Sequence, residues 1–233
     1  MNGESLDDRL AGLAALAEPV RRRLYHHVVS QPEPVSREQA AEALGVAHHV
    51  AKFHLDRLVT DGLLDVEYRR PPGRGGPGAG RPTKLYRRSA RQLAVSVPER
   101  RYDLVGRLLA QAVTDTERTG TPLPEALSAA AHAAGFDLGR QARRRAGPRP
   151  GRVALQTAAR DVLAAQGYEP RLEASEMTLA NCPFAVLAQD YTELVCGMNL
   201  DFMRGVLAGL ELPGLTARLD PAPGRCCVTV APD

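Results

Sequence analysis

Between Val35 and Asp61, apolar residues recur at helical spacing in two short runs separated by one glycine. In the first run Ala40, Ala41 and Leu44 share one helical face. Ser36 with Gln39 three residues later is the S-x-x-Q pattern of a capping box, which starts a helix. Gly45 supplies a sharp turn, because a residue without Cβ adopts positive φ at little cost. The second run, from about Ala47 to about Asp61, places Ala51, Leu55, Leu58 and Val59 inward at i, i+4, i+7 and i+8. Gly62 then ends it as the residue after the C-cap. Two short helices joined by a tight turn make a helix-turn-helix, whose second helix can enter a DNA major groove.

Leu63 to Tyr68 and Lys84 to Arg88 read as strands joined by a long Gly/Pro run, a hairpin that leaves the fold as a wing. From Arg69 to Arg88 there are six Arg and one Lys and no acidic residue. Such one-sided charge suits a loop that follows a phosphate backbone. Upstream, Leu10, Leu13, Ala14 and Ala17 predict a short amphipathic helix from about Leu6. Pro19 restarts a helix, being well suited to a first turn, with Val20, Leu24 and Val28 inward.

After Ser89 the segment LAVSVP reads as a short strand or extended linker. It marks a boundary between a domain over 1–97 and another over 98–233. Beyond it, helices are predicted over Tyr102–Thr116, Pro122 to about Ala146, and Val153–Ala165. Tyr168–Ala174 with Glu176–Ala180 alternate as a hairpin. Glu193–Leu210 is apolar almost all round and is therefore expected at the centre of its domain. Gly205 and Gly209 give it a groove of small residues. Leu215–Leu219 and Cys226–Val230 form a closing antiparallel pair. The fold class is α+β: an N-terminal winged helix-turn-helix domain followed by a C-terminal α/β sensor domain.

The outward positions of the second helix are His48, His49, Lys52, Phe53 and His54, with Arg57 one turn further. Histidine and lysine can donate to base edges or phosphates, and Phe53 can contact a thymine methyl. In the wing, Arg69, Arg70, Arg74, Arg81 and Lys84 can each neutralise a phosphate. The partner is thus double-stranded DNA. One such domain offers little contact area, so a homodimer on two half-sites is expected. The apolar face of Tyr102–Thr116 is the predicted dimer contact.

Composition adds limits. The chain has 233 residues, 44% of them hydrophobic, enough for a substantial core. No run approaches the roughly 18 apolar residues of a membrane helix, and no signal-peptide pattern opens the chain, so a cytoplasmic location off the membrane is expected. The net charge of +3 is uneven: residues 1–100 hold 16 basic against 12 acidic side chains. Four late cysteines make no secreted disulfide framework. There is no G-x-S-x-G, Walker loop, H-E-x-x-H or dinucleotide fingerprint, so the expectation is not an enzyme.

The runs LAEPVRRRLY, SREQAAEALGV, HLDRLVTDGLL and GAGRPTKLY, in that order, resemble the winged-helix domain of ArsR-like bacterial transcriptional regulators over about Leu6–Ser89. The resemblance implies DNA-binding regulation and allows His54 a role as a phosphate anchor. The wing is longer than the family's. No Cys precedes Cys182, so the family's metal-sensing cysteine pair is not implied.

The runs CGMNLDFMRGVLAGL, GLTARLDP and CCVTV resemble the vinyl-reductase-type ligand-binding domain and the C-terminal part of the iron–sulfur-biogenesis repressors, over about Tyr102–Pro232. That resemblance implies Cys182, Cys196, Cys226 and Cys227 as candidate ligands of an iron–sulfur cluster or zinc. Neighbours on a strand point to opposite faces, so only one of Cys226 and Cys227 would join Cys196. The set Cys182, Cys196 and Cys226 reads as a metal, cluster or redox site, and Cys227 as a core residue. Free cysteine also packs as a small hydrophobe. The alternatives are therefore a small-molecule sensor without metal, binding an effector, or an enzyme on the vinyl-reductase-type domain.

Overall fold

The computed structural model describes residues 6–70, 82–173 and 176–232. The chain divides into two compact units, Met1–Val95 and Ser96–Asp233.

The first unit runs α1 (Leu6–Ala15), α2 (Pro19–Ser30), β1 (Val35–Ser36), α3 (Arg37–Leu44), α4 (His48–Thr60), β2 (Leu64–Arg69) and β3 (Thr83–Arg88). Local chemistry sets the helix ends. Glu18 accepts hydrogen bonds from the Val20 and Arg21 amides and caps α2, with Pro19 in its first turn. The capping box of α3 is complete: the Gln39 amide donates to Ser36 Oγ at 3.2 Å and the Ser36 amide to Gln39 Oε1 at 2.9 Å. Gly45 stands at φ 64° after α3, a conformation glycine adopts without strain. Ala51, Leu55 and Leu58 of α4 are buried against Leu24, Val28, Ala40 and Ala41. The antiparallel sheet has the order β1-β3-β2. Tyr86 of central β3 pairs with Val35 on one side and Val66 on the other, and is buried.

The apolar face of α1 is not its buried face. Leu10, Leu13, Ala14 and Ala17 are exposed, while Gly12 and Ala15 are buried. The reason is steric. Gly12 lies against Leu93, where a Cβ would stand 2.6 Å from Leu93 Cδ1, so that segment packs closely on the small-residue side of α1. Leu6, Leu10 and Leu13 are left as an exposed apolar stripe.

Residues 89–101 form neither helix nor strand. The second unit then runs α5 (Tyr102–Thr119), α6 (Leu123–Arg145), α7 (Arg152–Ala165), β4 (Pro170–Glu173), β5 (Glu176–Leu179), α8 (Ala185–Asp190), α9 (Thr192–Leu210), β6 (Thr216–Leu219) and β7 (Val228–Ala231). Its strands pair antiparallel throughout in the order β4-β5-β7-β6, which with its helices makes an α+β arrangement. The short α8 is not anticipated from the pattern. No described helix is long and apolar enough to cross a membrane.

As its all-round apolar pattern requires, α9 is central: Val195, Met198, Phe202, Met203, Val206 and Leu210 are all buried. It packs on α6 through reciprocal glycines. A Cβ on Gly135 or Gly139 would overlap the carbonyl of Phe202 or Val206, and one on Gly205 or Gly209 the carbonyl of His132 or Phe136. Positions rise together in the two helices, so they run parallel. The apolar face of α5 is already used: Leu104, Val105, Leu108 and Ala112 are buried in this same core. The dimer contact predicted on that face is therefore corrected, because intramolecular burial occupies it.

Candidate functional site

Helix α4 has two faces. Ala51, Leu55 and Leu58 seat it on the core, and His48, His49, Lys52 and Phe53 project from the other side. Phe53 is 64% exposed. Those four sit where the sequence places them.

His54 does not. Its side chain is 12% exposed, with Nδ1 3.4 Å from Glu18 Oε2 and accepting from Arg21 Nε at 3.5 Å. It ties α4 to the capped start of α2 instead of reaching outward. Arg57 is exposed but paired with Asp61 at 2.9 Å.

The wing cations divide similarly. Arg70 is exposed. Arg69 bonds Glu33 at 3.1 Å and also pairs with Glu67, so two carboxylates already neutralise it. Lys84 Nζ lies 2.5 Å from Asp56 Oδ1 and 5.0 Å from the centre of the Tyr86 ring. Tyr86 Oη donates to the same carboxylate oxygen at 2.9 Å. Lys84 thus joins the wing strand to the recognition helix, which corrects its reading as a free phosphate contact. Arg74 and Arg81 lie outside the described residues. Asp56 and Tyr86 complete this link, and the pattern does not single them out. The signal for Asp56 is its i,i+4 spacing from Lys52, which puts both on one helical face. Arg87 and Arg88 of β3 are exposed and add positive charge.

Burial alone would raise the Asp56 carboxyl. The hydrogen bonds from Lys84 and Tyr86, with the charges of Lys84 and Lys52, outweigh it and hold the group below the ordinary aspartate value. Burial and the bond to Asp56 push the Tyr86 phenol up. The carboxylate is therefore ionised and matched by Lys84, leaving Lys52 to face outward.

In the second unit all four cysteines carry free thiols, and they gather from three segments. Cys182 follows β5, Cys196 lies in α9, and Cys226 and Cys227 precede β7. Cys196 donates to Cys227, Sγ to Sγ 3.1 Å. Cys226 donates to Cys182, and Asn199 Nδ2 to Cys226 Sγ at 3.2 Å. The buried Tyr168 hydroxyl donates to Asn199 Oδ1 at 2.6 Å and completes the network. The hydrogen bond from Cys226 lowers the Cys182 thiol to about 7, helped by the Phe184 amide and the charge of Arg100 against the effect of burial. Burial and the bond to Cys227 push Cys196 up to about 12. Donation to Cys182, and burial, push Cys226 up.

Only one of the adjacent pair stands beside Cys196, and it is Cys227, while Cys226 meets Cys182; both precede β7, which begins at Val228, a later start than expected. The sulfurs stand as two pairs. Among the described residues, no group of three or more His, Cys, Asp or Glu side chains is arranged to hold a metal ion. Zinc and iron–sulfur clusters take three or four converging ligands, and this donor arrangement does not fit them.

Beside the thiols, Arg100 Nη1 donates to Asn181 Oδ1 at 2.5 Å and to the Cys182 carbonyl at 3.1 Å. Asn181 Nδ2 donates to the Glu99 carbonyl at 3.0 Å, and the Arg101 amide to the Pro183 carbonyl at 3.1 Å. The Glu99–Arg101 segment, which leads into α5, is thereby clamped to the Asn181–Pro183 turn.

Compared with known proteins, residues 16–67 match a family model described as a helix-turn-helix domain. No curated protein and no solved structure matches the chain. The match spans α2 to β2, including the exposed row of α4, and with that geometry the N-terminal unit is a helix-turn-helix DNA-binding domain of a transcription regulator.

Proposed function

We propose that this chain is a sequence-specific transcription regulator, acting in the cytoplasm as a homodimer, whose C-terminal unit senses a signal at its cysteines and alters operator affinity. The observation that carries it is the exposed row His48, His49, Lys52 and Phe53 on a helix whose opposite face is fully seated. A seated helix presents its side chains to base edges at fixed positions, which sequence reading needs. The role is binding, with no catalytic residue assigned.

A second copy of this chain is the partner for the α1 stripe. Leu6, Leu10 and Leu13 share one side of that helix, and each is more than a third exposed. Symmetric burial of one stripe against its copy pairs two recognition helices for two half-sites.

The test is selection of bound fragments from random duplex DNA, followed by footprinting of the reduced protein. The expected result is an inverted repeat whose half-sites lie about one helical turn apart, roughly 10 base pairs. Binding without sequence preference would overturn the reading.

A further inference from the structure

We propose that Cys196 and Cys227 are a dithiol–disulfide site oxidised by a hydroperoxide, and that the bond so formed is relayed through Cys226 and Cys182 to the Glu99–Arg101 segment. Three observations carry it. The two sulfurs are already in contact at 3.1 Å, so closing the bond needs a movement of about 1 Å. Cys227 is half-exposed, and Cys196 behind it is buried, so one sulfur is open to an oxidant while the other is shielded. Cys226, bonded to Cys227 through the chain, is hydrogen-bonded to Cys182, whose own carbonyl is held by Arg100.

The chemistry balances with the peroxide as sole oxidant. The Cys227 sulfur attacks the distal oxygen of the hydroperoxide; the O–O bond breaks and an alcohol, or water from hydrogen peroxide, leaves with the thiol proton. Cys227 is then a sulfenic acid. The Cys196 sulfur attacks it, the S–O bond breaks, and water leaves as the S–S bond forms. Two thiols lose two electrons, and one peroxide gains them. The acceptor role of Cys227 in the hydrogen bond from Cys196 aims the second sulfur at the first.

The relay is short. Drawing Cys227 toward α9, which also carries Asn199, shifts the adjoining Cys226 thiol relative to Cys182. Cys182 then loses the hydrogen bond from Cys226, one of the contacts of the turn that also holds Glu99 and Arg101, and the hold on that segment is changed. That segment lies in the second unit a few residues after the boundary at Val95, so a change in its hold acts next to the chain link between the units. This regulatory step rests on the regulator reading above; disulfide formation does not.

The experiment treats the reduced full chain with one equivalent of hydrogen peroxide and caps the remaining thiols. Mass spectrometry then maps the bridge, and affinity for the footprinted DNA is measured in both states. A Cys196–Cys227 crosslink that survives in Cys226→Ala and vanishes in Cys227→Ala, with an affinity change of at least about fivefold, supports the proposal. Cys227 is half-exposed, and its replacement is checked for folding by circular dichroism. No crosslink, or one that needs Cys226, overturns the site. A crosslink with unchanged affinity overturns the relay. A reduced protein that binds no DNA sequence fails the regulator reading alone and leaves the disulfide result standing.

Discussion

Lys84, on the wing strand, and Asp56, on the recognition helix, form an ion pair at 2.5 Å between residues 28 apart in sequence. Tyr86 bonds the same carboxylate from the centre of the sheet. The pair ties β3 to α4 and neutralises the Asp56 carboxylate. Lys84→Ala is expected to lower operator affinity about tenfold, ~1.4 kcal/mol, with a small change in melting temperature. Restoring neutrality with Asp56→Asn in the same chain should recover most of the loss. Equal loss in single and double variants would show that Lys84 contacts DNA itself.

The same carboxylate sets an acid dependence. The folded Asp56 is held below the ordinary aspartate value of 3.8, as Glu18 is held below its own by the amides it caps. A depressed acid contributes stability above its unfolded value, and that contribution is lost as pH falls through the folded value. Urea midpoints should therefore be flat near neutrality and drop from about pH 4 downward. Asp56→Asn should make the drop shallower, and an unchanged profile would remove Asp56 from the account.

Lys52 is exposed on the outward face of α4 and packs into no core. Lys52→Ala should weaken operator binding and reduce the slope of log K against log salt by about 0.9. Thermal melting should not move. Intact binding at two salt concentrations would take Lys52 out of the interface.

The glycines between α6 and α9 separate space from propensity. Gly209→Ala puts a methyl into the backbone of α6 at Phe136 and should cost ~3 kcal/mol or more. Gly197, in the same helix, has nothing within 4 Å of its virtual Cβ. Gly197→Ala should stabilise by about 0.5–1 kcal/mol through helix propensity. Denaturant melts of the two variants decide it, and similar outcomes would refute the packing argument.

Leu10 is 42% exposed on the α1 stripe. Leu10→Asp should leave the fold intact and convert dimer to monomer in sedimentation, with loss of tight binding to a two-half-site DNA. A dimer that persists would place the contact elsewhere.

Short-range features are legible in the chain. The Ser36–Gln39 box, the Gly45 turn and the buried course of α9 each rest on residues within one or two turns of each other. Direction is harder. The Leu10/Leu13 stripe is plain in the pattern, but it takes Leu93, some eighty residues on, to turn Gly12 inward. The role of Lys84 is invisible for the same reason: its partner lies across a hairpin. Which of Cys226 and Cys227 meets Cys196 is not legible either, because both precede β7 and the contact is set by a residue 31 positions away. The six-residue α8 is too short for helical period to speak. Arg69 shows that a charge run states its sign but not which acids already satisfy it.

The parallel seam of α6 and α9 behaves as a keyed joint. Each glycine notch holds a carbonyl of the other helix, and the notches repeat every fourth residue. Sliding one helix to the next matching position would take about 6 Å, and every smaller displacement drives backbone into backbone. The two helices can therefore tilt or travel only as one body. A local tug at Cys196 would leave the seam unsheared, and the whole beam would carry the displacement to its far end.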